Sequence, residues 1–179
     1  RHAPLRRNLI RTSESGISMA ASPHPGVDVP MSHVYVGNNW FDQLIGNQSS
    51  DRAFMLQDVN DVVMEFNTGF HLRHGILLTG NKKSTGWKIN DNATGTTQAT
   101  YGSYWAIDSD NGAGQGTAAL NAFATGWEVL RNVFPSAFPA SQQAQFPQGN
   151  FYTAPASLGN SGVNQTLLAA AINGVVVPP

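Results

Sequence analysis

Charge is what this sequence runs out of. Its last 48 residues, Asn132 to Pro179, contain no Asp, Glu, Lys or Arg, and all 21 charges lie in the first 131. Charged residues make up 12% of the chain, about half the usual share. The uncharged stretch is not lipid-like either, being rich in Gln, Asn, Ser, Thr, Ala, Gly and Pro with Phe at intervals. A segment that is neither ionic nor greasy is expected to be buried against other protein, because interface centres are depleted in charge.

Cysteine is absent, which excludes a disulfide framework, a thiolate metal site and a Cys nucleophile. Long hydrophobic runs are absent too. The longest, Leu167 to Val177, is 11 residues broken by Asn173-Gly174, and a spanning helix needs about 20. No membrane partner is expected. A net charge of −1 does not fit the high-charge signature of disorder, and it gives little electrostatic protection against self-association. The start at Arg1 and the end in Val-Val-Val-Pro-Pro read as a processed product or a piece of a longer precursor. Three N-x-Ser/Thr sequons, at Asn47, Asn92 and Asn164, do not establish secretion in so Asn- and Thr-rich a chain.

The organisation reads as three parts. Residues 1–30 form a basic extended arm carrying Arg1, Arg6, Arg7 and Arg11, a weak nucleic-acid candidate because Arg neutralises phosphates. Residues 31–134 form a mixed α+β domain. Strands are expected at Val34-Tyr35-Val36, over 69–80, at Trp87-Lys88-Ile89 and over 101–107. The stripe Phe54, Met55, Val59, Val62, Val63 and Phe66 predicts a helix after Ser49-Ser50-Asp51. Leu120, Phe123, Trp127, Leu130 and Phe134, at steps of three and four, predict a second over 117–134 that Pro135 stops. Residues 135–179 form an uncharged arm with a short terminal helix. Its Phe-Pro pairs preorganise Phe134, Phe138 and Phe146 as anchors. With Phe151, Tyr152, Leu167, Leu168, Val175, Val176 and Val177 they make the predicted inter-subunit interface.

Catalytic and metal signatures are weak. Asp108-Ser109-Asp110-Asn111-Gly112 has alternating carboxylates but lacks the sixth-position Gly and distal Glu of a calcium loop, and reads as a turn. Gly112-Ala113-Gly114-Gln115-Gly116 matches neither phosphate-binding spacing. His71 and His74 lie three apart on a predicted strand, where they point to opposite faces. His2, His24 and His33 have no evident partner. No cofactor, metal or catalytic residue is assigned. The composition therefore points to a non-enzymatic structural subunit, a viral coat or capsid protein or a fragment of one. Its expected partners are copies of itself or other structural subunits. The alternative is a secreted or surface carbohydrate-binding module using Trp87, Tyr101, Tyr104 and Trp105.

Overall fold

The computed structural model describes residues 3–13, 15–21, 31–44, 52–70, 74–94, 105–134 and 138–152. It corrects the α+β expectation: every strand pairing is parallel, and the strands stack as successive coils of a β-solenoid. The first coil is β1 (Ala3–Arg6), β2 (Leu9–Ser13) and β3 (Ile17–Ala20). The second is β4 (Met31–Gly37), β5 (Trp40–Leu44) and β6 (Arg52–Gln57), and the third is β7 (Val59–Glu65), β8 (Thr68–Phe70) and β9 (His74–Thr79). The fourth contains β10 (Ser84–Thr85), β11 (Lys88–Asn90), β12 (Ala93–Thr94) and β13 (Trp105–Ser109). Helix α1 (Thr117–Phe123) leads into β14 (Ala124–Thr125) and β15 (Glu128–Leu130), and α2 (Ala140–Gln143) follows.

Four sheets result, the smallest being the two-stranded pair β10-β14. Sheet A is β1-β4-β7-β11-β15, sheet B is β2-β5-β8-β12, and sheet C is β3-β6-β9-β13. The fold is set by columns of inward residues that repeat at the coil spacing, about 4.8 Å as between any paired strands. In sheet A the register aligns Leu5, Val36, Met64, Ile89 and Val129. In sheet C it aligns Ile17, Phe54, Ile76 and Ile107. Sheet B contributes Phe41 and Leu44, both buried.

The corner between sheets A and B is held by an asparagine ladder: Asn8, Asn39, Asn67, Asn92, Asn132 and Asn150. Each main-chain N–H donates to the Oδ1 of the next rung at 2.9–3.1 Å. Each Nδ2 donates to the same Oδ1. From Asn39 onward, Nδ2 also donates to the carbonyl of the inward residue one coil earlier: Leu5, Val36, Met64, Ile89 and Val129 in turn. The side chains of the internal rungs Asn39, Asn67, Asn92 and Asn132 are thus satisfied within the chain, as buried polar groups must be. The residue before each rung is left-handed, from Arg7 (φ 61) to Arg131 (φ 55) and Gly149 (φ 84). Two of these residues meet across coils, where Arg131 donates to both carboxylate oxygens of Asp91 at 2.8 and 2.7 Å. That hydrogen bond and charge hold the guanidinium above its ordinary pKa.

Both long helices give way for a physical reason. Over 54–66 the chain is β6, a corner at Asp58 (φ 51), then β7. The register pairs Ser32 with Asn60 and Val34 with Val62, leaving His33 and Asp61 as matched bulges. Each extra residue turns an inward step of two into three. The inward series Phe54, Leu56, Val59, Val62, Met64 therefore imitates a helical stripe. The predicted helix over 117–134 stops at Phe123, because Ala124 is extended (φ −144) and Gly126 is left-handed (φ 64). Val129 then points inward from β15.

Candidate functional site: a groove on sheet A and an open first coil

The bulge column is a built feature of sheet A. His33 (φ 57), Asp61 (φ 50), Gly86 (φ 69) and Gly126 (φ 64) stand at equivalent places in four successive coils. Left-handed backbone is natural for glycine and costs about 1–2 kcal/mol for other residues. The second and third coils accept that cost to place an imidazole and a carboxylate there. His33 Nε2 lies 3.7 Å from Asp61 Oδ2, with the side chains 60% and 49% exposed. His33 Nδ1 is 2.9 Å from Ser32 Oγ. Gly86 completes the column, since a Cβ there would come 2.6 Å from Asp61 Oδ1.

Beside the column runs a groove of about 700 Å³ lined by Pro4, His33, Val34, Tyr35, Asp61, Val63, Gly86 and Lys88. Pro4, Tyr35, Val63 and Lys88 are in register on successive coils and point outward. The Tyr35 ring lies over Gly37, where a Cβ would come within 2.6 Å of Cε1. Partial burial raises the Tyr35 hydroxyl pKa; Glu65 adds to this and Arg6 opposes it. The floor is apolar and the rim carries both signs of charge. Sequence reasoning noted His33 only as partnerless and took Tyr35, Val63 and Lys88 as strand or helix residues. The juxtaposition joins residues 25 to 31 positions apart on successive coils, and no local pattern reveals it.

The first coil differs from the others. Leu5 is 40% exposed, although the same column buries Val36 and Met64 completely and leaves Ile89 at 2% and Val129 at 1%. Leu9 is also 40% exposed. β1, β2 and β3 each pair on one side only among the described residues. Asn8 Oδ1 accepts no hydrogen bond there, whereas every later rung accepts two. Arg6, Arg7 and Arg11 lie on this coil, and Arg1 lies outside the described residues.

Near the opposite end the described residues form an aromatic cluster. Phe134, Phe138 and Phe146 are 5%, 6% and 5% exposed in the chain's own core. Phe146 packs on Phe134 at 5.3 Å and on Phe138 at 5.6 Å, and Tyr152 lies 5.9 and 6.2 Å from Phe134 and Phe138. Tyr152 donates from its hydroxyl to the Gln143 carbonyl, and the Thr117 N–H donates to the Gln145 carbonyl, tying the cluster to α1. Gly116 permits that approach, since a Cβ there would meet the Gln145 backbone. Of the other predicted interface residues, Phe151 is 42% exposed, and Leu167, Leu168, Val175, Val176 and Val177 lie outside the described residues.

Other sequence candidates resolve into structural roles. Trp87 is 1% exposed and donates from Nε1 to the Val59 carbonyl, so it is core. Tyr101 and Tyr104 lie outside the described residues. Asp108 accepts from the Ser109 N–H and faces buried His74 at 3.3 Å. His71 is outside the described residues, and among those described no three His, Asp or Glu side chains converge to hold a metal. Asn92, one of the sequons, is a ladder rung 5% exposed. No described helix is long and apolar enough to cross a membrane. Compared with protein-family models, curated proteins and solved structures, the chain matches none.

Proposed function

We propose that this protein is a structural β-solenoid subunit of a larger assembly, joined to its neighbours through its first coil. The observation that carries the reading is the open first coil. Solenoids need terminal caps to remain soluble, and unpaired parallel edges invite pairing with another chain. Among the described residues the first coil presents three edges, an exposed Leu5 and an unfilled rung acceptor, while the aromatic cluster of Phe134, Phe138 and Phe146 is buried near the other end, where β12, β13 and β15 are the last strands of their sheets. Contact through that coil would cover Leu5 and the three edges.

The partners are further copies of this chain or another structural subunit, and the proposed setting is a virion or an extracellular surface. The role is non-catalytic. His33 and Asp61, the nearest approach to an acid–base pair in the groove, are both about half-exposed, where solvent screens their interaction.

The test is the native mass of the chain by light scattering across a concentration series, beside Leu5→Glu. The proposal expects larger species for the native chain and their loss in the variant. Arg6, Arg7 and Arg11 would face one another if two first coils met, so added salt should strengthen self-association by screening. Contact of the same arginines with nucleic acid would instead weaken with salt.

A further inference from the structure

We propose that the groove on sheet A is a binding site for a neutral oligosaccharide. The main-chain N–H and C=O groups of β4, β7 and β11 are engaged by strands on both sides. A ligand lying on this face is therefore held by side chains alone. A peptide that docks by adding a strand needs an unpaired edge; β4, β7 and β11 offer none, and the edge of β1, which carries Pro4, lies only at the groove's first-coil end.

The side chains present define the ligand. Pro4, Tyr35 and Val63 form an apolar strip across three coils, with the Tyr35 ring laid over Gly37. Along one side stand His33 and Asp61, and Lys88 closes the strip one coil further on. A sugar ring has this same duality, with a C–H face that packs on an aromatic ring and an edge of hydroxyls that donate and accept. A purely apolar ligand would leave the imidazole, carboxylate and ammonium unused. A polyanion would meet Asp61 beside Lys88, whereas phosphate recognition needs an excess of positive charge. The volume, about 700 Å³, falls in the range of small-ligand sites, about 300–1,000 Å³.

The backbone supports a dedicated site. Gly86 and Gly126 relieve the bulge in the later coils, while the second and third carry His33 and Asp61 at the same strained geometry. The other left-handed non-glycine residues stand at corners, whereas His33 and Asp61 lie within strands, and strain kept there is consistent with a functional position. The groove also runs across the strands, so successive coils offer contacts at about 4.8 Å intervals, a repeat comparable with one sugar unit. The occupant is therefore a short stretch of an extended glycan lying along the solenoid axis.

The experiment is isothermal titration of the full chain with neutral hexasaccharides of glucan, xylan, mannan and chitin type, up to about 1 mM, a concentration that detects free energies beyond about −4 kcal/mol. Leu5→Glu is titrated in parallel, so that failure of the assembly reading is distinguished from failure of this one. The expected result is saturable binding of at least one type, unchanged in Leu5→Glu. Tyr35→Ala should weaken it at least about tenfold, the loss of about 1.4 kcal/mol that removal of an aromatic platform gives, and Asp61→Asn and Lys88→Ala should weaken it less. Thermal melts confirm folding, and if Tyr35→Ala fails to fold, Lys88→Ala and Tyr35→Leu carry the test. Binding of none of the four, binding that Tyr35 and Lys88 variants leave unchanged, or binding lost instead on Phe151→Ala would overturn the proposal.

Discussion

Removing one internal rung of the asparagine ladder should be among the most damaging single changes in this protein. Asn67 is fully buried. Its Oδ1 accepts from the Asn39 N–H and Nδ2, and its Nδ2 donates to the Val36 carbonyl and to Asn92 Oδ1. Asn67→Ala deletes all four bonds and strands the Asn39 N–H, whose acceptor is gone. An orphaned buried donor costs about 1–3 kcal/mol, and three further lost bonds add about 0.5–1.5 kcal/mol each. The expected loss is about 2.5–7.5 kcal/mol, a large part of the 5–15 kcal/mol typical of a domain. Asn8→Ala is the control. It loses the single bond from its Nδ2 at an exposed rung, so about 0.5–1 kcal/mol is expected. Urea denaturation followed by circular dichroism reads both. Equal losses in the two variants, or an Asn67→Ala loss below about 1 kcal/mol, would refute the claim that the ladder secures the corner.

Three other outcomes are expected. Gly86→Ala, left-handed at φ 69 and with no room beside Asp61, should lose about 1–3 kcal/mol in the same denaturation assay and abolish any groove ligand. Phe146→Ala, at the centre of the aromatic cluster, should cost about 3–5 kcal/mol, with the thermal midpoint as readout; a loss under about 1 kcal/mol would mean that the cluster is not packed. Burial raises the pKa of Tyr152, and burial is also the leading cause at Tyr35. The folded state then holds these protons more tightly than the unfolded chain. Their contribution is complete below about pH 10 and is lost as pH rises through the raised folded values. Stability should therefore fall on the alkaline side of pH 10, less steeply in Tyr152→Phe, and an identical alkaline profile in that variant would contradict the assignment.

Local strand character was legible at Val34-Tyr35-Val36 and around Trp87-Lys88-Ile89, where β-branched and aromatic residues alternate. The architecture was not, because bulges at His33 and Asp61 and a corner at Asp58 shift the period-two pattern until it resembles a helix. The repeat itself was masked by unequal spacing: successive rungs are 31, 28, 25, 40 and 18 residues apart. A signal was nonetheless present. Leu5-x-x-Asn8, Val36-x-x-Asn39, Met64-x-x-Asn67, Ile89-x-x-Asn92 and Val129-x-x-Asn132 are one apolar-x-x-Asn unit used five times. Read as a repeat, it places an inward residue and a corner rung in each coil. The absence of charge after Arg131 pointed to burial against other subunits, whereas Phe134, Phe138 and Phe146 are buried in the chain's own core. The groove was invisible because its side chains come from different coils.

The central claim is that the first coil is a junction, and native mass measures it most directly. Light scattering of the intact chain and of Leu5→Glu, at low and high salt, should find concentration-dependent larger species for the native sequence, enhanced by salt, and smaller species for the variant. A monomer at every concentration in both forms would contradict the account. The open coil would then be a tolerated edge guarded by its arginines.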